Sequence, residues 1–411
     1  MVNLAKVTTS AVEENRIKES TWAVFLIFLR LGLTSFGGPI AHLGYFREEF
    51  VNRRRWLSEH SYADLVALCQ FLPGPASSQV GMALGLLRRG YRGAFVAWAG
   101  FTLPSAIALI LLAVGVSSQA SLIPQGLLHG LKIVAVAVVA QAVWGMARNL
   151  CVGVPKVTIL AMATCMALIM PSTLGQIGII VIAAIAGLIL FKPAPDLMHE
   201  SLPIQVSRSV GLMWLVLFVI LLIGFPMLAD FMPLQSIRDV SEFFRSGALV
   251  FGGGHVVLPL LQAAVVTPGW VNNEVFLAGY GATQAVPGPL FTFAAFLGAS
   301  MNVGPSGWEG GMLCLLAIFA PSFLLVFGVL PFWEVLRRHA PIQAALMGVN
   351  AAVVGLLLAA LYNPVWKSAV NAPSDFGLVV MSFVALVFWR LPPWLVVIAC
   401  GLLAWGVRLL A

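Results

Sequence analysis

The chain has 411 residues, of which 60% are hydrophobic and only 9% charged, with a mean hydropathy of +0.97. That leaves too little polar material to cover a water-soluble globule of this size, so the composition defines a polytopic membrane protein. The formal charge of +7, from 23 Lys and Arg against 16 Asp and Glu, does not indicate nucleic acid, because the basic residues sit in short loops between apolar runs, where they set orientation in a bilayer.

Residues 1–20 mix Lys6, Arg16 and Lys18 with Glu13, Glu14 and Glu19 and contain neither an apolar core nor a small-residue cleavage site. They are expected to form an N-terminal cytoplasmic segment, with the first apolar run acting as its own signal. Apolar segments follow at 22–45, 63–88, 91–116, 122–147, 155–171, 174–191, 210–229, 242–266, 275–300, 308–333, 341–362, 373–390 and 392–410. The stretch KPAPDLMHESLPIQVSRS at 192–209 is polar and proline-containing, as a linker should be. The expected organisation is a first repeat at 21–191, a linker with a connecting apolar segment at 192–241, and a second repeat at 242–411. Cys69, Cys151, Cys165, Cys314 and Cys400 have no CxxC spacing and read as small packing residues; no metal site or cofactor is expected.

The repeat is carried by short motifs. FLRLGLTSFGG, RRRWL and QFLPGP in the first half are matched by FFRSGALVFGG, TPGWV and TQAVPGP in the second. Arg30 thus pairs with Arg245, Phe36-Gly37-Gly38 with Phe251-Gly252-Gly253, and Gln70 with Gln284. Pro73-Gly74-Pro75 pairs with Pro287-Gly288-Pro289. Broken hydrophobic segments at corresponding places in two halves are the pattern of a secondary transporter.

The loops imply that the halves are inverted. Arg47, Arg53, Arg54 and Arg55 precede the first PGP segment and Arg88, Arg89 and Arg92 follow it, whereas the equivalent loops at TPGWVNNE and MNVGPSGWEG carry no basic residue. Conversely, the loop at SSQASLIP has none, and its counterpart carries Arg337 and Arg338. Basic loops on both flanks of 63–88 point to a hairpin hinged at PGP, while a simple count makes that segment one span. The N-terminal charges likewise conflict with a basic loop after a single crossing.

At each PGP two prolines remove backbone donors and disfavour helical geometry in the residues before them, so no continuous helix can pass. With Gly74 as cap and Pro75 at the first helical position, the N–H groups of Ala76, Ser77 and Ser78 become orphan donors at a positive helix end, and an anion in a water-lined cavity is a suitable partner. Pro289, Leu290, Phe291 and Thr292 repeat the arrangement. A structural kink satisfied by neighbouring Ser or Thr side chains is the bland alternative. Pro39 can begin another short helix whose N–H groups near Ile40, Ala41 and His42 face the same cavity; Gly252-Gly253-Gly254-His255 lacks that proline. Tight helix packing would equally explain the glycines.

Arg30 lies inside an apolar run, where an ionisable residue is a functional candidate by default. Arg245 lies nearer a segment end and can snorkel, and Lys132 is a further interior cation with Asn350 at its repeat position. A dianion about 4 Å from one arginine gains roughly 8 kcal/mol at an effective dielectric of 20, against up to about 2 from a helix N-terminus, so arginine would supply attraction and backbone donors fit. Glu48, Glu49, Glu59 and Asp64 are expected to be solvated partners of Arg53 to Arg55.

With its FGGP at Phe36–Pro39, its PGP at Pro73–Pro75 and their copies FGGG and PGP in two linked halves, the chain resembles the chromate ion transporter (CHR) family in its long two-domain form. The resemblance covers nearly everything after residue 20. It implies an all-α polytopic membrane protein of two inverted-topology repeats with broken or re-entrant helices at the PGP motifs. It further implies efflux of chromate across the cell inner membrane, conferring chromate resistance, with sulfate as a competitor. The alternatives are a carrier of sulfate or another tetrahedral oxyanion, a passive channel, and a membrane-embedded enzyme. Against the enzyme stand the lack of HExxH, GxSxG and paired intramembrane aspartates. The expected partners are chromate and lipid; a homodimer is left open. In a cysteine-depleted background, Cys placed at Ser58 and at Asn272 is expected to react with an impermeant thiol reagent from opposite faces of the membrane. Labelling of both from one face would remove the inversion.

Overall fold

The computed structural model describes residues 19–118, 125–192, 206–336 and 339–410. The N-terminal segment before Glu19, most of the polar linker, and Arg337 and Arg338 lie outside the described residues. Within them every regular element is helical. The first half contains α1 (Thr21–Thr34), α2 (Gly38–Arg47, continued by a wider turn over Glu48–Arg53), α3 (Glu59–Phe71), α4 (Ala76–Ser118), α5 (Gln125–Leu150), α6 (Val154–Ile169) and α7 (Thr173–Leu190). Then come α8 (Arg208–Phe231), α9 (Gln235–Ala248), α10 (Val257–Leu261, entered by a tight turn at Gly254–Val256 and continued over Gln262–Val266) and α11 (Asn273–Thr283). The chain ends with α12 (Phe293–Ala299, entered by a tight turn at Leu290–Thr292), α13 (Gly307–Val329), α14 (Trp333–Leu336), α15 (Ala340–Ala360), α16 (Lys367–Ala369), α17 (Pro373–Val387) and α18 (Pro393–Leu410). The order of elements from α9 onward follows that from α1, and α9 begins inside the stretch assigned from sequence to the linker.

Helix starts follow the sequence closely. The Ser20, Ser58, Ser172 and Ser207 side chains each accept a hydrogen bond from the backbone N–H three residues on, the usual relief for the orphan donors of a first turn. Breaks fall where the glycines adopt positive φ: Gly37 at 101°, Gly74 at 122°, Gly253 at 145° and Gly288 at 104°.

The apolar runs at 22–45 and 63–88 are not single spans; each is a pair of helices folded back at its motif. Phe28 of α1 packs on Phe46 and Phe50 of the returning strand of helix, at ring distances of 5.8 and 5.1 Å, and Arg54 meets Glu19 at 3.0 Å. FGG is therefore the tip of that hairpin. In the next, the Arg88 guanidinium lies 4.7 Å from the Trp56 ring and the Arg89 side chain donates to the Glu19 carbonyl, which puts PGP at the tip and residues 19, 54–56 and 88–89 at a common base. This geometry removes the conflict between the basic loops, because the chain enters and leaves on one side twice. Residues 242–266 and 275–300 behave alike, and Asn302 N–H donates to the Trp270 carbonyl across the base of the second PGP hairpin at 3.0 Å.

Close helix approach relies on paired small residues. After Arg88 the chain reverses at Gly90 (φ 60°) so sharply that a methyl on Gly93 would stand 2.1 Å from the Gly85 carbonyl oxygen; Gly298 and Gly310 make the same approach in the second half, at 2.2 Å. The halves also exchange helices: α7 packs on α15, and α18 packs on α5. α8 stands at the periphery, with only Gly211 buried and Met213, Val216, Ile220, Ile223 and Phe231 exposed, as a lipid-facing helix requires. Among the described residues, five helical segments are long and apolar enough to cross a membrane by length and composition, at Ala76–Gly115, Gly126–Leu150, Arg208–Phe231, Gly307–Phe332 and Ala340–Ala369, the first being two helices that meet at the reversal at Arg89–Gly90.

Gly93→Ala is expected to lower the thermal midpoint of the detergent-solubilised protein, at a cost of about 1–3 kcal/mol for overpacking. Gly145→Ala, where a methyl meets nothing within 4 Å, should leave the midpoint unchanged or raise it by the helix-propensity gain of up to about 1 kcal/mol.

Candidate functional site

The two PGP tips differ in how they spend their donors. α3 ends at Phe71, Leu72 turns extended, and α4 begins at Ala76. The Pro75 carbonyl accepts from Gln79 N–H at 3.0 Å, so Pro75 is the cap, one residue later than the sequence reading at Gly74. The reason is that Gly74, at positive φ, lies outside the helix. The N–H groups of Ala76, Ser77 and Ser78 remain without a backbone acceptor among the described residues. The Gln79 side chain donates to the Pro73 carbonyl at 2.7 Å and fixes the tip. In the second half Pro289 opens a tight turn instead, and its carbonyl accepts from both the N–H of Thr292 (3.0 Å) and the Thr292 hydroxyl (2.7 Å). That end is partly satisfied by itself.

The tips are tied to each other crosswise. Gly74 N–H donates to the Val250 carbonyl at 2.7 Å, and Gly288 N–H donates to the Ser35 carbonyl at 3.0 Å. Each PGP glycine thus closes on the residue just before the FGG of the other half. Space at both is exhausted: a Cβ on Gly74 would stand 2.7 Å from Ser322 Oγ, and one on Gly288 would stand 2.8 Å from Ser105 Oγ. Ser105 and Ser322 follow Pro104 of α4 and Pro321 of α13, a matched Pro-Ser pair that sequence reasoning missed.

Where the second PGP tip meets the first FGG motif lies a cavity of about 20 Å³ lined by Gly37, Gly38 and Pro39 of the first half and by Thr283, Gln284, Val286, Gly288, Leu290 and Pro393 of the second. His255 completes its polar lining. It is large enough for roughly one water molecule, so the structure is closed around its centre. The surroundings are polar for a membrane protein. Ser35, Ser78, Thr102 and Ser322 hydroxyls, His42 Nε2 and Gln284 Nε2 are buried without a hydrogen-bond partner among the described residues, and His42 Nδ1 lies 3.4 Å from Ser77 Oγ.

The predicted cations stand elsewhere. Arg30, half-exposed, binds Glu49 at 2.9 Å, and the same carboxylate accepts from Arg53 at 2.9 Å and Arg54 at 2.7 Å. Glu49 is 3% exposed, not the solvated partner expected, because three guanidinium groups and the α1–α2 hairpin enclose it. Arg245 pairs with Glu242. Lys132 pairs with Glu274 at 3.2 Å. Gln70 is exposed, Phe36 faces Trp394 at 6.5 Å, and Gly252 lies by Met146 and Asn350. The structure therefore brings Gly37, Gly38, Pro39, Gln284 and Gly288 to one cavity, with His42, Ser77, Ser78, Pro73, Gly74 and Pro75 in the adjoining tip, while Pro287, Pro289 and Thr292 shape the second. His255 and Thr283 were missed; the only signal for His255 was its place after the Gly252–Gly254 run.

Helices broken at corresponding places around a central polar cavity, in an otherwise apolar bundle, define a membrane protein of the transporter class. The family model described as chromate transporter matches residues 22–189 and 239–405, and the chain belongs to that family. It is 26% identical to the chromate transport protein of Pseudomonas aeruginosa over 93% of this chain and 91% of that one. It is 25% identical to the chromate transport protein of Cupriavidus metallidurans over 92% and 91%, and 25% identical to an uncharacterized transporter of Methanocaldococcus jannaschii over 84% and 85%. No solved structure matches.

Gly74→Ala and Gly288→Ala are expected to reduce transport at least about tenfold, while leaving the protein inserted, since strain at positive φ and a buried clash together exceed about 1.4 kcal/mol. Ser322→Gly should not rescue Gly74→Ala, because it leaves both the positive φ and the contact with Gln79 Nε2, which a Cβ on Gly74 would meet at 2.6 Å. Full rescue would show that space alone matters.

Proposed function

We propose that this protein is a two-repeat carrier that exports chromate from the cytoplasm across the inner membrane and thereby confers chromate resistance, with sulfate competing at the cytoplasmic face. The observation that carries the reading is the crossed closure of each PGP tip on the FGG region of the other half, with a partly polar cavity at one of these two junctions. Two half-sites that complete each other suit a carrier whose repeats rock around a fixed central site. Relatives called chromate transport proteins match along nearly the whole chain, which favours chromate over other anions. The hairpins gather the loops bearing Arg47, Arg53 to Arg55, Arg88 and Arg89 on one face, which the positive-inside rule assigns to the cytoplasm. The second half then hangs inverted from α8.

Direction follows from charge. One elementary charge moved through 100 mV is worth about 2.3 kcal/mol, so a dianion leaving a negative-inside cell gains roughly 4.6, enough for an outward gradient of about a thousandfold. Uptake of the same ion would need more than two co-transported cations. Lys132, Arg30 and Arg245 each already have a carboxylate partner, and no carboxylate lines the cavity.

A carrier of sulfate or another tetrahedral oxyanion is the second reading, since the same donors suit any such ion. In proteoliposomes loaded with chromate and held at a negative interior potential, efflux is expected to be fast, to slow when the potential is collapsed, and to fall when sulfate is added inside. Export unaffected by the potential, with no counter-anion outside, would overturn the direction argument; sulfate efflux without chromate efflux would favour the second reading.

A further inference from the structure

Of the residues lining the central cavity, His255 alone has a side chain that gains or loses a proton. It sits in the tight turn at Gly254–Val256, and its Nδ1 lies 2.7 Å from the hydroxyl of Tyr280, a fully buried residue of α11. The tautomer follows from the hydroxyl. Were Nδ1 protonated, the Tyr280 O–H would be left buried with no acceptor among the described residues, and an orphaned buried donor bears its full desolvation cost. Tyr280 therefore donates to Nδ1, and the neutral ring carries its proton on Nε2, the nitrogen left for the cavity. Gln284, on the same lining, has an amide Nε2 with no acceptor among the described residues. The cavity thus offers neutral hydrogen-bond donors and no fixed charge.

Such a lining tells anions apart in a way that arginine does not. Coulomb attraction treats two tetrahedral dianions of equal charge alike, whereas a hydrogen bond strengthens with the basicity of the accepting oxygen. Chromate is the more basic of the two, sulfate being the conjugate base of a far stronger acid. An imidazole N–H is also a more acidic donor than an amide, so its bond rises more steeply with that basicity. We propose that His255, oriented by Tyr280, is the residue by which this protein prefers chromate to sulfate. The proposal rests on the reading of the protein as an oxyanion carrier. A purely structural His255–Tyr280 pair, holding α11 against the glycine turn, would affect both anions equally.

The test is the ratio of initial chromate to sulfate flux in proteoliposomes of the full chain, for wild type, His255→Gln and Tyr280→Phe, with insertion checked for each. His255→Gln should lower the ratio about threefold, less than the roughly tenfold worth of a whole hydrogen bond to a charged acceptor because sulfate accepts the same bond more weakly, chiefly by slowing chromate. Tyr280→Phe, which frees the ring to adopt either tautomer, should lower it in the same direction by less. If His255→Gln does not insert, the ratio in Tyr280→Phe decides. An unchanged ratio, or equal loss of both fluxes, overturns the proposal. A wild-type protein that carries neither anion instead removes the carrier reading itself.

Discussion

A bilayer interior offers no water to a backbone N–H, and the rest of this structure depends on that constraint. Each half breaks its helices at two glycine motifs, so each half creates donors and acceptors that it cannot satisfy alone. The Gly74 N–H finds the Val250 carbonyl, and the Gly288 N–H finds the Ser35 carbonyl. Positive φ at both glycines aims those groups sideways, out of the path of their own helices. The flanking prolines, which bring no N–H of their own, add nothing further to satisfy. Two breaks that would each be costly alone become one closed junction, and the interface between the halves is fixed there.

Charge is arranged around that junction rather than in it. Arg30, Arg53 and Arg54 converge on Glu49 at the base of the first hairpin, and Lys132 meets Glu274, while the cavity itself is lined by glycine, proline, Val286, Leu290 and the neutral polar side chains of Thr283, Gln284 and His255. An arginine next to a dianion is worth several times more than a helix end, so an arginine in the centre would bind the ion tightly and release it slowly. A translocation site has to hold its ion weakly enough to let it go. Basic groups at the mouth and neutral donors in the middle meet both demands.

The positions of the breaks were legible in the sequence because proline and glycine act locally, and their repetition at matched places made the signal specific. What each break pairs with was not legible. Nothing local marks Val250 or Ser35 as acceptors, since any residue supplies a carbonyl, and the pairing is set by how the halves pack. Hydropathy likewise could not tell one span from a hairpin over 22–45, because it is blind to chain direction; the clue lay in the charges at both ends, which a hairpin reconciles. Arg30 was singled out because an apolar run surrounds it, but its side chain is long enough to reach Glu49 at the hairpin base. Glu49 was read as a surface residue because three arginines beside it look the same in sequence whether they solvate a carboxylate or bury it. His255 sits in the weaker FGGG copy, where the missing proline drew attention away from it.

The same junction sets what motion costs. A cavity of about 20 Å³ is too small for a tetrahedral oxyanion, so on the proposed carrier reading passage requires the tips to part and the two crossed hydrogen bonds to break, at a net cost of order 1 kcal/mol each when a replacement partner is present and more when it is not. An oxyanion there would bring acceptors to the freed Gly74 and Gly288 N–H groups, to the unspent N–H groups of Ala76, Ser77 and Ser78, to Gln284 and to the surrounding hydroxyls, while the freed Val250 and Ser35 carbonyls would need donors from elsewhere. Opening would then cost less for the occupied protein than for the empty one. Meanwhile α7 on α15 and α18 on α5 bind each half to the other away from the tips, so the halves can shift at the centre without separating. On the proposed carrier reading, the geometry that satisfies the broken backbone in the closed state is thus also what would couple its opening to an anion.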